Sequence, residues 1–319
     1  MSDTEDFDDD APTPAAQATA DGAAEPVAER VPNFYREIFP AGPCDGFYRK
    51  LGAHALSFVD RGSDTLLVTF DNLSAAGHPG FDIEAWGGKF IRDRGWNHLG
   101  VHAQGPTWYR DARIIAQLEA LRDQGLFARH RRVTLAGTSM GGFAALAFAD
   151  LAPGCNVLAF SPQATLHADY APWEGRFQRG REQDWTLPRS HAGDHLAGAG
   201  NVWVVYDPFV IPDRRHVDLL PMRAIQPLKC FNVGHKSALA LRRMGRLKEI
   251  MQRAVDGTLD ADWFYTAMRD RKRIFLFRQV MERHLTQRGK ADRIPRMIAA
   301  FKKHRRSLPP AGSDRAGFV

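Results

Sequence analysis

Between residues 65 and 233 the chain repeats one alternation: a short apolar run bounded by turn formers, then a stretch with apolar residues at helical spacing. Such a pattern leaves few architectures open. Strands buried on both faces read as continuous apolar runs, and the helices between them cover those faces. The runs fall at 65–70, 97–102, 132–136, 156–160, 201–206 and 228–233. Ile114, Ile115, Leu118 and Leu121 mark a helix from about Asp111, and an Ala- and Phe-rich helix follows over 143–150. The expectation is an α/β fold with a mainly parallel, helix-covered sheet of at least six strands. A hairpin is expected ahead of it, with residues 53–59 turning at Asp60-Arg61-Gly62 into 65–70.

The flanks differ from this middle. Residues 1–30 carry nine Asp or Glu against one Arg and almost no aromatic or β-branched side chains, so they are expected to stay disordered. Residues 242–306 carry 19 Lys or Arg against seven acids, with apolar stripes at Leu239, Leu241, Met244, Leu247, Ile250 and Met251 and at Phe275, Leu276, Phe277, Val280 and Met281. Pro295 is expected to start or bend the last helix. The division expected is an acidic tail over 1–30, a core over 34–240, a basic helical extension over 241–307 and a flexible tail over 308–319. Within the core, 161–200 has no clear period and reads as a lid or insertion, or as Trp and Phe packed on the sheet edge. No run is apolar enough to span a membrane and the N-terminus opens on acids, which points to a cytoplasmic protein. The three cysteines, Cys44, Cys155 and Cys230, form no Cys-x-x-Cys pair and suggest neither a disulfide framework nor a zinc cluster.

One strand-to-helix junction carries chemistry. The run at 132–136 enters Gly137-Thr138-Ser139-Met140-Gly141-Gly142, and a helix follows. A strand that turns sharply into a helix holds a serine in a strained conformation with its hydroxyl at the sheet edge, and the small residues at 137 and 141 relieve crowding. A helix N-terminus directly behind Ser139 favours developing negative charge. A serine hydroxyl needs a base, and the base needs a carboxylate to fix its tautomer. Asn232-Val233-Gly234-His235 ends a later strand and offers His235. The acid is Asp207, which ends the strand before it, or Asp213 in Val210-Ile211-Pro212-Asp213-Arg214. The rigidity of a strand end favours Asp207.

From about Thr65 to Ser237, in element order and in the succession Ser139, Asp207, His235, the chain resembles the α/β-hydrolase fold family. It departs from that family in lacking Gly-x-x-Asp wording at the acid strand and His-Gly after the first buried strand, and in its long C-terminal helical region. The resemblance implies a serine esterase or related acyl-transfer enzyme with no metal or cofactor. It also implies an oxyanion hole made by the Met140 amide and the amide of Asn72 or Leu73. Water resolving the acyl-enzyme would make it a hydrolase; an alcohol such as a sugar hydroxyl would make it an acyltransferase acting on a small-molecule or glycan substrate.

The same sequence admits competing readings. The glycines at 137, 141 and 142 do not match the Gly-x-Gly-x-x-Gly of dinucleotide-binding turns. His191, Asp194 and His195 resemble metal ligands but lack further donors nearby in sequence. His102 and Trp108 are expected near Ser139. Arg269, Arg271, Lys272 and Arg273 close to Trp263, Phe264 and Tyr265 would suit an anionic partner. No nucleic-acid motif accompanies them, so helix amphipathicity explains them better. A non-catalytic scaffold that binds an anionic partner through these helices is the alternative from outside enzymology.

Overall fold

The computed structural model describes residues 33–39, 41–72 and 83–306. The expectations for 1–30, for 308–319 and for Leu73 lie outside the described residues.

The described residues open with helix α1 (Asn33–Ile38), then strands β1 (Asp45–Leu51), β2 (His54–Asp60) and β3 (Thr65–Phe70). Helix α2 (Gly88–Asp93), β4 (Asn97–Ala103) and α3 (Ala112–Asp123) follow, and then β5 (Arg132–Thr138) runs into α4 (Met140–Ala147). β6 (Asn156–Phe160), the short α5 (Gln178–Arg181), β7 (Val202–Tyr206), α6 (Ile211–Asp218) and β8 (Gln226–Lys229) complete the sheet. Five α-helices end the described residues: α7 (Ser237–Arg243), α8 (Leu247–Asp256), α9 (Ala261–Ala267), α10 (Phe275–Gln287) and α11 (Ile294–Arg306).

The eight strands form one sheet in the order β1-β2-β4-β3-β5-β6-β7-β8. β1–β2 and β2–β4 are antiparallel and every other pair is parallel. This is the expected mainly parallel, helix-covered sheet. Successive side chains of a strand point to opposite faces, and the core divides accordingly. Leu66, Val68, Phe70 and Leu135 face α3 and α4 on one side, while Leu67, Ala136, Leu158 and Trp203 face α8 on the other. Asp111 caps α3 by accepting from the Arg113 amide.

The expected hairpin is corrected. β2 turns back on β1 through Gly52-Ala53, with Leu51 opposite His54, and β4 lies between β2 and β3. The reason sits at the start of β4. Asn97 Oδ1 accepts from the amides of Arg61 and Ser63 at 2.7 and 3.2 Å, and Asn97 Nδ2 donates to Asp60 Oδ1 at 2.8 Å. The turn at 60–63 is thereby fastened across β4 rather than closing a tight hairpin.

Three smaller boundaries also move. The last strand ends at Lys229, short of the expected 233, and the helix after the glycine turn starts at Met140 instead of 143. The stripe from Leu239 to Met251 is split by Gly245, which adopts a φ of 72° between α7 and α8. α10 buries no residue fully, and Phe275 is exposed. Its stripe covers the surface of the core rather than entering it. Among the described residues no helix is long and apolar enough to cross a membrane.

Candidate active site

Ser139 stands between β5 and α4 with φ 52° and ψ −115°. A non-glycine residue in that conformation is strained, and such strain concentrates at functional sites. Close backbone approach explains the glycines on either side. A Cβ on Gly137 would lie 2.2 Å from the Gly141 carbonyl oxygen, and one on Gly141 would lie 2.3 Å from that of Phe70. The N-terminus of α4 is thus pressed against the end of β3, where Asp71 and Asn72 continue the chain. Met140 supplies the first amide of α4, among the N–H groups that a helix leaves without an internal partner. The Asp71 amide is already committed to the Val101 carbonyl, and the Asp71 carbonyl accepts from the Tyr109 hydroxyl at 2.9 Å.

His235 comes from the loop after β8, behind Asn232 and Gly234, which both adopt positive φ. Its Nε2 lies 3.0 Å from Ser139 Oγ. Its Nδ1 lies 2.9 Å from Asp213 Oδ2 and 3.0 Å from Oδ1. The histidine joins the serine to a carboxylate, and that carboxylate is Asp213.

Asp207 stands elsewhere. It is fully buried at the end of β7, where its Oδ2 accepts from the amides of Val233 and Gly234 at 2.8 Å each and its Oδ1 from that of Phe209 at 3.0 Å. Its carboxylate binds the backbone just before His235 rather than the ring. The structure places Asp213, the alternative, and not the preferred Asp207 against the His235 ring, and the physical reason is local. Asp213 lies in the first turn of α6, a helix with Pro212 at its start, so regular structure and not an open loop carries it.

A buried charged cluster backs this carboxylate. Arg176 Nη1 donates to Asp213 Oδ1 at 2.8 Å, while Arg176 Nε and Nη2 donate to both oxygens of Glu174. Glu174 Oε2 also lies 3.0 Å from His216 Nε2. Burial pushes the Asp213 carboxyl up, but the His235 ring and the Arg176 guanidinium outweigh it and hold the group below the usual carboxylate range. Glu174 is likewise raised by burial and lowered more by its bonds to His216 and Arg176, to about 2. Burial alone dominates at Asp207, whose carboxyl is raised despite its amide donors.

The segment 161–200 supplies Gln163, Glu174 and Arg176 to this region, none of which the sequence pattern singled out. Arginines hold it down by donating to carbonyls: Arg110 to those of Asp184, Leu187 and Pro188, and Arg181 to those of Ala171 and Glu174. Trp108 reaches Ser139 through Gln163, since the indole donates to Gln163 Oε1 at 3.1 Å. His102 instead bonds Ser57 Oγ at 2.8 Å and faces Asp71 at 3.4 Å, fully buried beneath the end of β3. His191 and His195 have different partners: Asp194 at 3.5 Å for the first and Asp150 at 2.9 Å for the second. In the C-terminal helices, Arg271 donates to the Met268 carbonyl, Arg273 pairs with Asp270, and Phe264 is buried.

No protein-family model matches the chain, and no curated protein matches it in sequence. Solved structures do resemble it. A capsule O-acetyltransferase of Neisseria meningitidis serogroup A, in complex with CoA, aligns at 16% identity with a TM-score of 0.46, over 66% of this chain and 94% of that one. An esterase/lipase from an uncultured bacterium aligns at 13% identity with a TM-score of 0.41, over 79% and 94%. An esterase of Pyrococcus furiosus aligns at 14% identity with a TM-score of 0.40, over 67% and 92%. At these identities the likeness concerns the fold alone.

Proposed function

We propose that the chain is an acyl-transfer enzyme, most simply a carboxylic ester hydrolase, with Ser139 as nucleophile, His235 as general base and Asp213 as the acid that orients it. The observation that carries this reading is the continuous contact from Ser139 Oγ through both nitrogens of His235 to Asp213, with each step at 3.0 Å or less. That geometry meets the requirements for a nucleophile, its base and the base's orienting group.

As Ser139 Oγ attacks the carbonyl carbon, its proton passes to His235 Nε2, and the carbonyl π pair moves onto oxygen. Asp213 keeps the ring in the tautomer with the proton on Nδ1 and stabilises the imidazolium. The Met140 and Asn72 amides are assigned to the oxyanion. Backbone donors need no particular side chain, which is compatible with the missing His-Gly. His235 then returns the proton to the departing alcohol. Water, activated by the same histidine, hydrolyses the acyl-enzyme; a sugar or other alcohol in place of that water makes the reaction an acyl transfer.

The test is incubation of the full chain with a fluorophosphonate probe and with short-chain p-nitrophenyl esters. Labelling at Ser139, with hydrolysis that disappears in Ser139→Ala, is expected. A folded protein that neither labels at Ser139 nor turns over these esters would sink the proposal.

A further inference from the structure

Gln163 is a fully buried carboxamide three residues beyond the end of β6. Both its ends are engaged. Oε1 accepts from the Trp108 indole at 3.1 Å, and Nε2 lies 3.4 Å from Ser139 Oγ and 3.4 Å from the Ser161 carbonyl. An indole N–H can only donate, so the carboxamide oxygen must face Trp108, and the two N–H bonds must face Ser139 and Ser161. Rotating the amide by 180° would set N–H against N–H inside the core, at the cost of an unpaired buried donor.

The backbone around this group is as constrained as its side-chain bonds. Trp108, Tyr109, Ser139 and Ser161 all adopt positive φ, at 45°, 55°, 52° and 44°. Trp108 and Ser139 are the ends of the chain through Gln163, Tyr109 follows Trp108, and the Ser161 carbonyl faces the same carboxamide. Non-glycine residues held in this region mark a backbone that the surrounding structure over-determines. Trp108 is itself fully buried, with its ring against Phe177 at 5.1 Å, and Phe177 lies 6.0 Å from the His235 ring.

We propose that Gln163 is a further catalytic residue, a fixed N–H donor to Ser139 Oγ, and that Trp108 is the residue that positions it. This rests on the acyl-transfer reading. In the resting enzyme Oγ gives its own proton toward His235 and accepts from Gln163. In acylation the O–H bond breaks as the Oγ–carbon bond forms, and Oγ carries negative charge while the two are out of step. In deacylation the Oγ–carbon bond breaks, its electron pair returns to Oγ, and His235 returns the proton. Gln163 stabilises Oγ at both moments. The 3.4 Å separation suits such a role, because catalytic hydrogen bonds are often long in the free enzyme and tighten when charge develops.

The test uses the full chain with p-nitrophenyl acetate, kinetics of fluorophosphonate labelling at Ser139, and two variants. Gln163→Met removes the donor and the acceptor. Gln163→Glu keeps an oxygen for Trp108 and sets oxygen where the N–H stood. Both are expected to lower kcat by about 10- to 100-fold with KM within about threefold, and to slow labelling by a similar factor, a smaller loss than full removal of an oxyanion donor. Trp108→Phe is expected to fall between them and wild type. Wild-type kcat and labelling rate in either Gln163 variant, with the fold verified by circular dichroism, would overturn the assignment. If wild type itself is unlabelled at Ser139, the acyl-transfer reading fails and this assignment falls with it, whereas labelled wild type beside undiminished variants condemns Gln163 alone.

Discussion

Arg176 and Asp213 form a buried ion pair, with Nη1 to Oδ1 at 2.8 Å and side chains only 8% and 1% exposed. The same Asp213 oxygen lies 3.0 Å from His235 Nδ1, so one carboxylate answers two cations whenever the imidazole is protonated. Arg176 reaches Asp213 through Nη1 alone, while its Nε and Nη2 form a planar fork with Glu174 that holds the guanidinium in place. Its removal leaves Glu174 and Asp213 buried near each other without a compensating charge. Arg176→Met is therefore expected to cost about 3–5 kcal/mol of stability. Arg176→Lys should lose less, because it keeps the charge and forfeits the fork. Urea titrations of the three proteins measure both differences; equal midpoints would contradict the account.

The two candidate acids separate cleanly by substitution. Asp213→Asn leaves His235 Nδ1 facing an amide and favours the wrong tautomer, for which a loss of about 10⁴ in kcat is the expected scale. Asp207→Asn replaces one acceptor by an N–H₂ that opposes the amides of Phe209, Val233 and Gly234. Its effect is expected chiefly on stability, about 1–3 kcal/mol, with kcat at least about 100-fold above that of Asp213→Asn on the scale of a lost tautomer. Steady-state kinetics and denaturation on the pair decide it, and the reverse ranking would return the role to Asp207.

Acid sensitivity follows from Glu174. Its carboxyl is lowered from 4.5 to about 2 by the fold, so the unfolded chain binds its proton first as pH falls. The stability linked to this group is complete above pH 4.5 and is lost as pH falls through about 2. Wild type is expected to lose stability across that window more steeply than Glu174→Gln, which has no proton to gain. Unfolding free energies measured at several pH values between these limits give the two slopes; parallel slopes would remove Glu174 as a source.

How far the sequence reveals this arrangement depends on what fixes each residue. Ser139 and His235 are legible because local chain pattern places them: apolar run, glycine turn, helix for the first, and strand followed by a Gly-containing turn for the second. Asp213 was harder to read, since Ile211–Asp218 has no strong apolar period, although Pro212 near its start is a helix-opening signal. Gln163, Glu174 and Arg176 come from a segment that arginine-to-carbonyl bonds hold in place, and such bonds leave no periodic trace. Strand pairing was lost for a similar reason. Residues 53–59 and 65–70 look like hairpin partners until Asn97, far along the chain, bonds the turn between them. Apolar periodicity reports which face is buried and says little about which neighbour lies alongside.

The strain at Ser139 gives a prediction that opposes stability to activity. With φ 52° and ψ −115°, the residue holds a conformation that costs a side-chain-bearing residue about 1–3 kcal/mol and a glycine little. Ser139→Gly removes the Cβ and the strain along with the hydroxyl. It also leaves His235 Nε2 without its 3.0 Å partner, which the partly open site lets water replace. The variant is expected to unfold at a temperature several degrees above wild type, since about 1 kcal/mol moves the midpoint of a domain of this size by about 2–4 °C, and to label with no fluorophosphonate. Ser139→Ala, which keeps the Cβ, is expected to lose the labelling without the gain. A melting temperature of Ser139→Gly at or below that of Ser139→Ala would show that the turn between β5 and α4 stores no strain at this residue.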